Sequence, residues 1–95
     1  MITLSETSAF ARHANRHQSV LGVLRFMEYG HLREGYIRDT SKIFADAANR
    51  VLDALPDDQE LIVALRKLRE AKDSAVGLAV HQAYGPERQT VVVKP

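Results

Sequence analysis

The sequence predicts an all-α fold, a long antiparallel helical hairpin with an additional amino-terminal helix, assembled as an oligomeric helical bundle. Three observations lead there. Apolar residues recur at helical spacing along most of the chain, and Gly30, Gly35, Pro56 and the Gly85-Pro86 pair fall between those stretches. The one β-prone stretch, Thr-Val-Val-Val-Lys at 90–94, has no partner strand in the chain.

The first helix is expected over about 6–29, starting near Ser5 to Ser8, with Val20, Leu21, Val23, Leu24 and Met27 on one face. Its first half is much less apolar. Gly30 and Gly35, five residues apart, break it into a corner. A second helix is expected over about 40–55, capped by Asp39, Thr40 or Ser41, with Phe44, Ala47, Ala48, Val51, Leu52 and Leu55 as its stripe. Pro56 ends it. Asp57 followed by Glu60 has the spacing of a capping box, and the third helix runs over about 57–84, roughly 40 Å, to Gly85-Pro86. The connection between the second and third helices is too short for anything but an antiparallel hairpin. Residues 85–95 are expected to be irregular, so that 1–95 forms one helical domain.

The third helix carries its inner stripe at Leu61, Leu65, Leu68, Ala75 and Ala79, and the position that continues the stripe at 72 is a lysine. Lys72 must snorkel along the helix, pair with a neighbouring carboxylate or meet an anionic ligand. Glu28 is the internal carboxylate expected to pair with it if the role is structural. Ile43, Ile62, Val63 and Val76 lie off the main stripes, which leaves a second apolar face on each long helix and predicts a homo-oligomer.

Composition narrows the function. A chain of 95 residues is too small for a two-lobed enzyme with a deep cleft, and 45% hydrophobic with 26% charged residues is the balance of a globular protein. No apolar run approaches the ~20 residues of a membrane span. The start Met-Ile-Thr-Leu-Ser-Glu lacks the layout of a secretory signal and there is no cysteine, so a cytoplasmic setting is expected. The absence of cysteine also excludes thiol catalysis, and neither a glycine-rich phosphate loop nor a nucleophile elbow is present. No catalytic residue, cofactor or metal is expected. His13 and His17 are spaced i, i+4, but no acidic residue lies between them and Arg12 and Arg16 flank them, an unfavourable setting for a cation. A net charge of +1 gives little of the phosphate neutralisation that duplex DNA binding requires.

Two groups of cations remain. Arg12, His13, Arg16 and His17 form a basic patch one turn beyond Phe10, and an aromatic face beside arginine forks suits a nucleotide. On the third helix Arg66, Lys67, Arg69 and Lys72 stand within two turns, with Glu70 and Asp73 at i+4 of Arg66 and Arg69. Ordinary helix solubility explains part of each group. Tyr36, beside the glycine corner, is the other candidate stacking surface.

The corner Phe26-Met27-Glu28-Tyr29-Gly30-His31-Leu32, the second helix ending Leu55-Pro56, and Ala64-Leu65-Arg66-Lys67-Leu68-Arg69-Glu70-Ala71-Lys72-Asp73-Ser74-Ala75-Val76 resemble a group of small bacteriophage and actinobacterial proteins over residues 17–77. More distantly, the helical-hairpin layout resembles phage anti-CBASS sponge proteins, which form compact hexamers and sequester cyclic di- and trinucleotide immune signals without cleaving them. That family's dinucleotide pocket uses an aromatic and, fifteen residues later, a lysine, and Phe10 with Arg25 reproduces the spacing. Phenylalanine keeps the stacking face and lacks the tyrosine hydroxyl, while arginine keeps the charge. The family's arginine-threonine pair for trinucleotides falls approximately at Leu65 and Arg66.

The resemblance implies a non-enzymatic phage-type anti-defence protein that binds cyclic oligonucleotides in the host cytoplasm. Phe10, Arg12, Arg25, Arg66, Lys67 and Lys72 are its expected ligand-binding residues, and a hexamer is the expected assembly. The alternative is a small helical adaptor that binds a host or virion protein through its apolar faces.

Overall fold

The computed structural model describes residues 1–84, and the β-prone stretch at 90–94 lies outside the described residues. All regular structure in the described residues is helical: a single 3-10 turn Ala11–His13, α1 Gln18–Leu24, α2 Tyr36–Ala54 and α3 Gln59–Tyr84. Helix α2 packs along α3, and α1 lies against α3 as well. The radius of gyration is 15.4 Å, where a chain of this length folded into a sphere-like domain has ~12 Å. The difference comes from α3, whose 26 residues span ~39 Å while the 19 of α2 span ~28 Å.

Helix α2 starts earlier than the sequence predicts, because Gly35 supplies the turn. Its φ of 133° suits glycine, its carbonyl accepts the first helical bond from the Asp39 amide at 2.9 Å, and Asp39 sits in the first turn where the helix dipole favours it. The helix stops at Ala54 because Leu55, preceding Pro56, is extended at φ −128° and ψ 147°. Its buried residues are Ser41, Ala45, Ala48, Asn49 and Leu52. The stripe is therefore rotated from the expected one: Phe44 and Val51 pack at its margin, and Leu55 is exposed. The buried α2 side chains are mostly small, and Asn49 is drawn inward because its Nδ2 donates to the Ala9 carbonyl at 2.9 Å.

The capping box expected at the start of α3 is not formed, and a single side-chain cap takes its place. Asp58, not Asp57, accepts from the Glu60 amide, at 2.8 Å, because Asp57 is bonded to the amino-terminal segment. Leu61, Leu65 and Ala79 are buried on α3 with Leu68 packed beside them, as the stripe predicts.

The expected continuous helix over 6–29 is not formed. Residues 6–10 are turns, the 3-10 turn follows, and the chain is extended at His17 with ψ 149° before α1 begins. Tertiary bonds outweigh local helix propensity here. Glu28 accepts from the Ser8 hydroxyl and from the Ala9 amide at 3.0 Å, which pins the start of the segment. Phe10 then enters the core, fully buried with Val20, Leu21, Leu24, Met27 and Leu65. Glu28 is accordingly not the partner of Lys72. The lysine stem is largely covered, and its ammonium meets Asp73 Oδ1 at 2.7 Å on the same helix.

Candidate functional site

The basic patch expected on the first helix serves the fold. Arg12 forks onto Asp53 through Nε at 3.2 Å and Nη2 at 2.6 Å. Arg16 reaches the far end of α2, where Nη1 and Nη2 donate to the carbonyls of Leu52 at 2.9 Å and Leu55 at 2.7 Å, groups that the helix leaves without internal partners. Its Nε also meets Asp57, whose other oxygen accepts from the His17 amide at 2.7 Å. His17 Nδ1 accepts from the Ser19 amide at 3.1 Å and caps α1. His13 is buried, with Nε2 3.0 Å from Asp53 Oδ1 and Nδ1 3.5 Å from Arg16. Burial and then the charge of Arg12 push its pKa below the ordinary 6.5, so the ring is held neutral. The Arg12 hydrogen bond holds the Asp53 carboxyl below its ordinary range. Asp57 is also lowered: burial opposes the shift, but hydrogen bonds from the His17 amide and Arg16 prevail.

A different set of side chains forms an open groove between α1 and α3, with a volume of about 620 Å³. Arg25 and Phe26, just beyond the end of α1, form one wall, and Arg66, Arg69, Glu70 and Asp73 form the other. The four α3 residues share one face because they stand at i, i+3, i+4 and i+7. Ser19, Gly22 and Val23 of α1 complete the lining. Phe26 is 44% exposed, and the guanidiniums of Arg69 and Arg25 lie 4.0 and 4.8 Å from its ring centroid. Stacking of this kind orients a guanidinium plane and leaves its N–H edge for a phosphate.

The remaining charges are unevenly matched. Arg25 donates Nε to the Gly22 carbonyl at 3.2 Å, Asp73 is held by Lys72, and Arg69 approaches Asp73 only to 3.8 Å. Arg66 and Glu70 face the groove with no ion pair or hydrogen bond to any of the described residues. The expected i, i+4 pairing of these two is therefore not made.

Of the six residues expected to bind a ligand, the groove brings together Arg25 and Arg66. Phe10 is a correction: with 0% exposure its ring is core and offers no stacking face. Arg12 is committed to Asp53, Lys72 to Asp73, and Lys67 is exposed outside the groove lining. Leu65 is likewise core, so only Arg66 of that neighbouring pair is exposed. Tyr36 is 59% exposed but lines a separate surface depression with Leu32 and Tyr84. The expected ligand set leaves out Phe26, and leaves out Arg69 and Glu70 although both stand in the third-helix charge group. Arg25-Phe26 directly before the glycine corner, together with the i, i+3, i+4 spacing from Arg66, was the signal for them.

No protein-family model, curated protein or solved structure matches this chain. No helix among the described residues is long and apolar enough to cross a membrane.

Proposed function

We propose that the chain is a non-enzymatic binding protein that sequesters a cyclic oligonucleotide in the groove between α1 and α3. The observation that supports this reading is the three arginines, Arg25, Arg66 and Arg69, grouped around the exposed Phe26 ring in a space of about 620 Å³. That volume lies within the range of small-molecule sites. Aromatic and guanidinium faces stack on bases, and the guanidinium edges meet the two phosphates that a cyclic dinucleotide carries. Phe26 takes the stacking role that the sequence reading gave to Phe10. Binding alone suffices for such a protein, which fits a phage-type anti-defence role in a host cell as the resemblance implies.

The exposed apolar side chains Tyr36, Ile43, Val63 and Leu78 favour a second reading of the surface, a helical adaptor or a homo-oligomer that covers them. Light scattering of the purified chain distinguishes a monomer from an assembly.

The test of the binding reading is a thermal-shift panel of cyclic di- and trinucleotides with linear counterparts. A ligand at ~100 times its Kd stabilises by roughly 2.7 kcal/mol, which raises the Tm of a domain this small by about ten degrees or more. A shift with the cyclic compounds that Phe26→Ala and Arg66→Ala abolish supports the reading. A flat panel overturns it in favour of the adaptor.

A further inference from the structure

We propose, resting on that reading, that the groove selects guanine as the base of its ligand. The inference comes from Arg66 and Glu70, two opposite charges one turn apart on α3 that both face the groove and do not bond each other. Residues at i and i+4 stand about 5–6 Å apart at their Cβ atoms, close enough to make the pair that ordinary helix surfaces make. Left open, they present a donor fork and an acceptor pair side by side.

Guanine complements that arrangement. Its O6 and N7 accept from an arginine fork, and next to O6 on the same ring edge its N1–H and N2 amine donate to a carboxylate. A guanine lying against Phe26 or a guanidinium plane turns O6 and N7 to Arg66 and the N1–H and N2 donors to Glu70. Adenine in the same pose keeps N7 as an acceptor for the arginine, but its N6 amine replaces O6 against the other guanidinium donor. Its N1 lone pair replaces N1–H against the carboxylate and the N2 donor is missing, so each side chain loses a contact and meets a repulsive one. Uracil offers O4 and a single N3–H and ranks between them. Asp73, the other groove carboxylate, is occupied by Lys72, which leaves Glu70 as the acceptor.

The experiment is calorimetric titration of the full chain with cyclic di-GMP, cyclic di-AMP and GMP, repeated on Glu70→Gln. The expected result is that cyclic di-GMP binds about tenfold or more tighter than cyclic di-AMP, the scale of one good bidentate base contact. Glu70→Gln should reduce or reverse that ratio, because an amide offers adenine both a donor and an acceptor. Its melting temperature without ligand should match wild type, since Glu70 holds no partner among the described residues. Equal affinity for the two cyclic compounds overturns guanine selection, an unchanged ratio in Glu70→Gln overturns Glu70 as the group that makes it, and both leave the binding function standing. GMP bound as tightly as cyclic di-GMP supports guanine and overturns the cyclic ligand. Heats absent for all three probes overturn this inference, and with a flat thermal-shift panel of cyclic trinucleotides they overturn the binding function as well.

Discussion

Arg16 and Asp57 are joined at 2.5 Å between Nε and Oδ1, a contact that ties the chain just before α1 to the turn between α2 and α3. The same guanidinium covers the Leu52 and Leu55 carbonyls, so one side chain holds three elements. Replacement with an apolar chain of similar reach separates these roles from simple packing. Arg16→Met should destabilise by about 1–3 kcal/mol, because two helix-end carbonyls and a carboxylate lose their donor, with partial compensation by solvent. Asp57→Asn, which keeps an acceptor for the His17 amide, should cost less than Asp57→Ala in urea denaturation of the same protein.

Acid should weaken the fold in two stages. His13 faces Arg12, Arg16 and Asp53, and its folded pKa lies below the unfolded 6.5, so below that pH the unfolded chain binds more protons and stability falls. Asp53 and Asp57 are depressed below 3.8, and their contribution, present above that pH, is lost as pH falls through their folded values. Melting temperatures between pH 7 and pH 5 should decline in the wild type and decline less in His13→Gln. Equal slopes would remove His13 from the acid response.

Phe10 and Phe26 have opposite roles and should respond oppositely to truncation. Phe10→Ala opens a cavity in the core and should cost about 3–5 kcal/mol. Phe26→Ala, at an exposed position stacked with arginines, should cost less than about 1 kcal/mol while abolishing ligand binding. Melts of the two variants with and without cyclic dinucleotide provide the comparison.

Gly77 lies within α3, is exposed, and a Cβ added there meets nothing within 4 Å. Gly77→Ala should therefore stabilise by about 0.5–1 kcal/mol through helix propensity and reduced unfolded-chain entropy. In a domain of this size that is a rise of roughly 2–8 °C in Tm, readable by circular dichroism.

The parts of the fold legible in the sequence are those determined over short range. The stop of α2 before Pro56, the start of α3 just after it and the α3 stripe from Leu61 to Ala79 are where the sequence puts them, whereas α2 begins at Tyr36, ahead of the cap expected at Asp39 to Ser41, and Asp58 takes the capping place expected of Asp57. The amino-terminal segment was illegible because its partners lie about 40 residues away: Arg12 with Asp53, Arg16 with Asp57, Asn49 with Ala9. Helical spacing made these side chains look like one solvated face, whereas Arg12, His13 and Arg16 meet particular carboxylates or carbonyls and His17 caps α1. The groove was legible in half. Arg66 is one of the third-helix cations and Arg25 enters through its spacing from Phe10 in the resemblance, but the meeting of α1 with α3 that brings Phe26 under Arg69 depends on how the helices pack.

The order of synthesis gives the amino-terminal segment a particular history. Phe10, Arg12 and Arg16 are polymerised before Asp53 and Asp57 exist, and at ~5–20 residues per second the interval of about 40 residues lasts several seconds. Without its distant partners the segment has neither a regular helix of its own nor a place to hide Phe10. Its bonds to Asp53 and Asp57 can close only once the end of α2 and the turn beyond it have been made, and that closure completes the enclosure of Phe10.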